Sequence, residues 1–319
     1  MCAANAGWWT TSAKGHLGIS FAWSRRVTRR LLARLNGSRI AERVNFTIDG
    51  SLNGRPLRIP VLAGTGLSPK PFWEEEPWLN QALDRILASA DGAFVDVGVI
   101  LGQTLLKTKT LRPGIRYIGF EPNPLCVVYV RRLIAANSFS DCVVAPFGLS
   151  DRGAALSLFA VDPADSSASV IEGFRPAQRT WAQSPVAVLP GDDALHALRV
   201  GKVGVVKIDV EGGELEVLRG LSETLRTDRP HVICEILPTH KESDERWAFR
   251  KPRQDALLDL MRTAGYRMFR LLTTGGVMPL EAIEPHSDLK LTNYAFVRAV
   301  VADAFARAQN APAALQGVA

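Results

Sequence analysis

From Gly92 onward, short apolar runs alternate with segments of helical periodicity, and this alternation restricts the possible folds more than any other feature of the sequence. The runs AFVDV, YIGF, VGVVKI and HVICEI are almost continuously apolar, which is typical of parallel strands covered on both faces. Strand–helix alternation of this kind predicts an α/β fold with right-handed crossovers. The last two runs, YRMFRLL and NYAFVRA, have no long helix between them, so we expect one terminal strand to run antiparallel.

The chain before this alternation is predicted to form a cap on the main domain. A helical pattern covers Ser24–Leu35, and Asn53-Gly54 is a strong turn signal between two short strands. A further helix opens at Glu76-Pro77 and runs to about Ala90. The predicted division is a basic N-terminal cap region over residues 1–90, a main domain over 91–300 and a C-terminal tail over 301–319, loose from about Ala308.

The middle of the main domain carries an apparent insertion. CVVAPFGLS is expected to be the third strand of the sheet, and the runs ALSLFAV and PVAVLP after it are expected to form an inserted hairpin. The hairpin flanks a polar loop with Ser166, Ser167 and Ser169, whose hydroxyls suit a polyhydroxyl ligand, although such loops are usually only solvated.

The charge and cysteine content limit the partners of the chain. The net charge is +6, and much of the excess lies in an early arginine-rich segment: Arg25, Arg26, Arg29, Arg30, Arg34, Arg39 and Arg43. This segment is either a solvated helix face or a patch for an acidic or phosphate-bearing partner or a membrane surface. Nucleic acid is not expected, because aromatic residues do not interleave with the basic ones. No apolar run reaches transmembrane length, and the oligomeric state is not readable.

The four cysteines include no C-x-x-C pair, and no histidine lies at zinc-ligand spacing, so no structural metal is expected. Cys126, Cys142 and Cys234 lie in apolar runs, which favours reduced core residues and the cytoplasm.

Acidic residues end three of the predicted strands, where ligands bind in open α/β sheets. Asp96 is followed by Gly98 and Gly102, a glycine turn that allows a ligand to approach the backbone and the next helix. Glu121 follows 25 residues later, where a carboxylate can accept hydrogen bonds from both ribose hydroxyls of a nucleoside. Phe147 and Gly148, at the end of the third predicted strand, would lie near an adenine ring.

The segment KIDVEGGELEVLRGL places two carboxylates, Asp209 and Glu211, at the end of the fourth strand. Such a pair facing a cleft could balance a positive charge or accept a proton, or Glu211 could merely favour the helix N-terminus. Lys207 lies within an apolar strand, so it is expected to reach a carboxylate, with Glu235 of the next strand as the candidate.

Taken together, FVDVG, YIGFEPNP, LPGDDAL, VVKIDVEGGELEVLRGL and NYAFV resemble, in order, the FkbM-type methyltransferase family over about residues 92–300. The resemblance implies a Rossmann-like class I methyltransferase sheet, S-adenosylmethionine as cofactor and a small-molecule or glycan acceptor, methylated on a hydroxyl. The resemblance implies that Asp209 and Glu211 face the transferred methyl group, and the candidate catalytic residues are these two and, as weaker candidates, Glu235 and His240. The candidate cofactor site comprises Asp96, Gly98, Gly102, Gln103, Glu121, Asn123, Phe147 and Gly148.

One departure from the family concerns Ile100, which stands where the family usually has asparagine within G-A-N-x-G. Loss of that amide would weaken cofactor binding by about 1–3 kcal/mol if the side chain faces the cofactor, and would have no such effect if it faces the core. A non-catalytic cofactor-binding protein is therefore one alternative. A nicotinamide-dependent oxidoreductase is another, although G-x-G-x-x-G is missing after Gly98.

Overall fold

The computed structural model describes residues 45–63, 76–161, 165, 167–172, 174, 182–240 and 245–311. The helix predicted over Ser24–Leu35 and the arginine-rich segment lie outside the described residues, as does Ser166.

The hairpin and the first described helix pack on the main domain as parts of one core. Strands β1 (Phe46–Leu52) and β2 (Arg55–Val61) pair antiparallel around Asn53-Gly54, and helix α1 spans Pro77–Ser89. Asn53 and Gly54 both have positive φ, which confirms the predicted tight turn. Leu57 of β2 and Leu83 of α1 belong to the same hydrophobic cluster as residues of the central sheet.

Within the described residues, the central sheet contains eight strands: β3 (Ala93–Val97), β4 (Tyr117–Phe120), β5 (Cys142–Ala145), β9 (Val203–Ile208), β10 (His231–Glu235), β11 (Tyr266–Leu271), β12 (Val277–Leu280) and β13 (Asn293–Arg298). Their order across the sheet is β12-β11-β13-β10-β9-β3-β4-β5. The neighbouring strands β10, β9, β3, β4 and β5 run parallel to one another, and β13 runs antiparallel between β10 and β11. This confirms the predicted mostly parallel sheet with a reversed strand.

The helices that connect these strands follow the predicted alternation. They are α2 (Gln103–Leu111), α3 (Pro124–Ala136), α4 (Gly191–Ala197), α5 (Glu214–Gly220), α6 (Ser222–Thr227), α7 (Glu245–Thr263) and α8 (Ala302–Asn310). The side chain of Asn123 accepts a hydrogen bond from the Leu125 N–H and so caps the start of α3. Helix α8 was not predicted, and its span contradicts a tail that loosens at Ala308.

The third predicted strand was too long. β5 ends at Ala145, and β6 (Gly148–Ser150) leaves the central sheet to pair with β8 (Ala182–Pro190), which also pairs with β7 (Ala154–Ala160). The predicted inserted hairpin, β7–β8, is therefore confirmed, but it belongs to a separate three-stranded sheet. The physical reason is the interruption at Pro146, which has no N–H to donate to a strand ladder.

Candidate functional site

A cleft of about 660 Å³ opens at the carboxyl ends of β3, β4 and β9, where the sequence predicted a site. It is bordered on the other side by β6 and by the insertion, which consists of β7, β8 and the loop between them. Six of the predicted residues line it: Gly98, Glu121, Asn123, Gly148, Asp209 and Glu211.

Gly98 is required by the close approach of two strand ends. Its φ is +88°, and a Cβ atom there would lie 1.9 Å from the carbonyl oxygen of Asp209. Any side chain at Gly98 would therefore separate the glycine turn from the strand end that carries Asp209. The turn consequently holds the backbone after β3 and the carboxylates after β9 on one wall of the cleft.

Glu121 fixes the conformation of the turn from the neighbouring strand. One carboxylate oxygen accepts the N–H of Ile100 at 2.7 Å, and the other accepts the N–H of Asn123 at 2.8 Å. Burial raises the pKa of Glu121 to about 7, against the opposing effect of these two N–H groups. Each oxygen keeps a further lone pair, so Glu121 can also accept hydrogen bonds from a ligand in the cleft.

Other predicted cofactor residues lie away from the cleft lining. Asp96 is completely buried and accepts a hydrogen bond from the Tyr117 hydroxyl, and the Phe147 ring packs on Phe120 with centroids 5.6 Å apart. Gly102 and Gln103 begin α2 behind the turn. Phe120 lines the cleft but was not predicted, because it reads as an ordinary strand residue; the same is true of apolar residues from the insertion, such as Leu158 and Val170.

Lys207 reaches carboxylates, as predicted, but its partners are two aspartates and not the candidate Glu235. Its ammonium lies 3.0 Å from Asp209 Oδ2 and 3.9 Å from Asp96 Oδ1. Strand register explains the correction: Asp96 is the partner of Lys207 on β3, whereas Ile233 occupies that position on β10. Burial disfavours the charge of Lys207, but the two carboxylates outweigh burial and raise its pKa, so the ammonium stays charged.

Three carboxylates come together at the ends of β9 and β10. Oxygen atoms of Asp209, Glu211 and Glu235 lie within 4.8 Å of one another, a grouping that could hold a metal ion. Burial raises the pKa of Asp209, but Lys207 and hydrogen bonds from Glu235 and Lys207 outweigh burial and lower it overall. Burial and the Asp209 charge raise the pKa of Glu235 to about 9. At neutral pH, Glu235 therefore holds a proton and donates a hydrogen bond to an ionised Asp209.

This arrangement predicts that Glu235→Gln keeps the fold. A glutamine can donate a hydrogen bond to Asp209 and still accept one from the Thr292 hydroxyl, which lies 2.9 Å from Glu235 Oε1. Because the pKa of Glu235 is raised from 4.5 to about 9 in the folded protein, the wild type loses stability as the pH rises between these two values. Relative to Glu235→Gln, the wild type should lose at most about 1.4 kcal/mol of unfolding free energy per pH unit between pH 5 and 9. Urea denaturation across that range checks this, and parallel curves would contradict it.

Ile100 has a backbone conformation that suits the residue it replaces. Its φ is +52°, a left-handed value that costs a β-branched residue about 1–2 kcal/mol, whereas asparagine tolerates it. The half-buried side chain both lines the cleft and packs on the core, so the two orientations considered from the sequence are combined. Its N–H still reaches Glu121, so the loop keeps its shape.

Ile100→Asn should therefore stabilise the protein by about 1 kcal/mol, measured by thermal or urea unfolding. Ile100→Val is the matched control, because valine is β-branched and keeps the strain. A variant Ile100→Asn that melts below both the wild type and Ile100→Val would show that packing of the isoleucine outweighs backbone strain.

The insertion contacts the strand end that carries the acidic residues. The Ser169 hydroxyl donates to the carbonyl of Glu211 at 2.7 Å, and the Phe174 ring lies so close to Gly212 that a Cβ there would be 2.4 Å away. The Arg250 guanidinium of α7 lies 4.4 Å from the centroid of the Phe174 ring. The insertion thus forms one wall of the cleft, while Ser167 bonds to Asp165 within the loop.

The reversed strand β13, the glycine turn and Glu121 at the end of β4 match the plan of Rossmann-like methyltransferases. Residues 96–268 match the family model described as the methyltransferase FkbM domain. The chain belongs to the FkbM methyltransferase family. This membership argues against the nicotinamide-dependent oxidoreductase.

Two curated proteins are similar to the chain. "Methyltransferase 1" of Beauveria bassiana is 24% identical over 215 residues, which are 62% of this chain and 82% of that protein. "Hexuronic acid methyltransferase AglP" of Haloferax volcanii is 30% identical over 153 residues, which are 47% of this chain and 57% of that protein.

Solved structures with more distant similarity include other methyltransferases. An FkbM methyltransferase from Methylobacillus flagellatus is 18% identical with a TM-score of 0.38, over 65% of this chain and 43% of that one. An O-methyltransferase from Bacillus cereus in complex with SAH is 12% identical with a TM-score of 0.40, over 72% of this chain and 91% of that one.

Within the described residues, no helix combines the length and apolar character needed to cross a membrane.

Proposed function

We propose that the protein transfers the methyl group of S-adenosylmethionine to a hydroxyl group of a sugar, glycan or natural product. The observation that carries the proposal is that Asp209 and Glu211 line the same cleft as Glu121. A nucleoside held at Glu121 would extend along the glycine turn toward the two carboxylates.

The cleft residues fit the cofactor by their hydrogen-bonding groups and by charge. Gly98 lines the cleft without a side chain, and Glu121 offers lone pairs to the ribose hydroxyls. When bound, S-adenosylmethionine supplies an electrophilic methyl group on a positively charged sulfur. Asp209 and Glu211 would stabilise that positive charge. Asp96, which is buried below the cleft, would act through Lys207 and not by contact.

The acidic residues favour an acceptor that is neutral and must lose a proton. Asp209 is ionised while Glu235 is protonated, so Asp209 can accept the hydroxyl proton as the acceptor oxygen attacks. An acceptor carboxylate would instead be repelled by Asp209 and Glu211. The relative that is named a hexuronic acid methyltransferase supports a sugar acceptor, and a hydroxyl of such a sugar fits these charges.

The position of the new methyl group tests the hydroxyl proposal. The protein would be incubated with S-adenosylmethionine carrying a labelled methyl group and with methyl glucoside, rhamnose or glucuronic acid. We expect label that survives mild alkali, because a methyl ether is stable there and a methyl ester hydrolyses. Label that appears only with the sugar acid and is released by alkali would overturn the hydroxyl assignment while keeping methyl transfer.

The non-catalytic alternative rests on Ile100. Because the Ile100 N–H keeps its bond to Glu121, the substitution leaves the turn that faces the cofactor in place. A protein that binds S-adenosylmethionine but labels no hydroxyl compound would favour this alternative.

A further inference from the structure

A second cavity, of about 1050 Å³, lies at the opposite edge of the central sheet from the methyl-transfer cleft. Its floor is formed by the residues that lead into β9 and β10 and by Arg298 at the end of β13. Because β13 runs antiparallel to β10, its last residue lies beside the first residue of β10. This cavity, here called the amino-edge cavity, lies at the ends of β9 and β10 that face away from the cleft, and it shares no lining residue with the cleft.

Positive charge exceeds negative charge around the amino-edge cavity. Four arginine and lysine residues line it, against two aspartates: Arg85, Lys202, Arg229 and Arg298, against Asp91 and Asp228. Two of the cations are already engaged. Lys202 pairs with Asp91 at 2.7 Å, and Arg85 donates to the carbonyl oxygens of Gln309 and Ala311.

Of the two remaining cations, Arg229 is exposed and donates to the carbonyl oxygen of Arg226, which leaves Arg298. Across the described ranges, no carboxylate forms an ion pair or hydrogen bond with its half-buried guanidinium, and Asp228 instead accepts the Val203 N–H at 2.9 Å. The pKa of the neighbouring His231 is lowered first by burial and then by the positive charge of Arg298, which lies close to this ring. A half-buried guanidinium of this kind is a donor fork suited to an oxyanion.

The other wall of the amino-edge cavity is apolar. Helix α8 contributes Val301, Ala304 and Phe305, and the His231 ring stacks on Phe305 with centroids 5.8 Å apart. A ligand here would meet a guanidinium at one end and an apolar, partly aromatic surface beside it. A bare inorganic ion would use only the first of these features.

We propose that the amino-edge cavity binds a small molecule that carries a phosphate or carboxylate group on an apolar body. Its anionic group pairs with Arg298, and its apolar body lies against α8 beside His231. The site is separate from the cofactor and the acceptor, so its occupation does not depend on the function proposed for the cleft.

Calorimetric titration of the full chain with phenyl phosphate, and with inorganic phosphate, tests the site. We expect saturable binding of both, with phenyl phosphate about tenfold tighter because its ring is buried against α8. Arg298→Gln should weaken both by about tenfold or more, since a charge-assisted pair is lost. Arg307→Gln is the matched control, because it removes the same charge from an exposed position on α8 that does not line the cavity.

A spectroscopic readout locates the ligand. The imidazole signals of His231 should show the largest change among the five histidines when phenyl phosphate is added to the wild type, and a much smaller change at the same concentration in Arg298→Gln. Equal melting temperatures of the two variants would show that both are folded. No saturable binding, equal weakening by Arg298→Gln and Arg307→Gln, or a response centred on another histidine would each overturn the proposal.

Discussion

Replacing Asp209 by asparagine is expected to slow methyl transfer by about 10²–10⁴-fold, the usual contribution of a general base. The amide has almost the same shape, but it cannot accept the acceptor proton, and it removes the negative charge beside Lys207, 3.0 Å away. Binding of S-adenosylmethionine should change much less, because Glu121 and the glycine turn remain. Single-turnover transfer of a labelled methyl group, measured with saturating cofactor, separates the two effects.

Asp193→Asn is the matched control for this variant. Asp193 is an exposed residue of the first turn of α4, so the same chemical change there should leave transfer unaltered. An Asp209→Asn protein that is folded and transfers the methyl group at the wild-type rate would remove Asp209 from the mechanism. If Glu211→Gln slowed transfer instead, Glu211 would take the role of base.

Replacing Lys207 by methionine is expected to lower the unfolding free energy by about 3–5 kcal/mol, because it leaves buried carboxylates without their cation. Asp96 is completely buried, and burial raises its pKa to about 6 even with Lys207 present. Without the ammonium, that pKa should rise further, and a raised carboxyl pKa costs stability as pH increases. The loss should therefore be larger at pH 8 than at pH 5.5, as measured by urea denaturation.

Lys202→Met provides the comparison for Lys207→Met. Lys202 also pairs with an aspartate, Asp91 at 2.7 Å, but both side chains are exposed to solvent. Water and salt screen such a pair, so little change in stability is expected. Equal effects of the two substitutions, or a Lys207→Met loss that does not depend on pH, would contradict the charge network described for Lys207, Asp96 and Asp209.

The sequence was informative where burial on both faces dictates composition. The runs that form β3, β4, β9 and β10 were recognisable because their residues are almost all apolar, and the acidic residues that end them were predicted to meet at one edge. Helix α4, with seven residues, and strand β12, with four, were not predicted, because such short segments carry little periodicity. β12 also contains Pro279, which weakens any strand signal.

Side-chain partners depended on strand register, which the sequence does not contain. The sequence offers Glu235 to Lys207 because it lies in the next apolar strand, whereas the register places Asp96 beside Lys207. In the same way, Ile100 was recognised as a departure from the family, but its left-handed backbone became visible only in the structure. The contacts made by the insertion, such as Ser169 with Glu211, join residues 42 positions apart and had no sequence signal.

Isothermal titration of the wild-type chain with S-adenosylmethionine and with NAD, side by side, tests the central claim that the cleft is a methyltransferase cofactor site. We predict saturable binding of S-adenosylmethionine at one site per chain, no comparable binding of NAD, and an affinity for S-adenosylmethionine that falls by about tenfold or more in Glu121→Ala. Absence of S-adenosylmethionine binding, or binding of NAD with equal or greater affinity, would contradict the account.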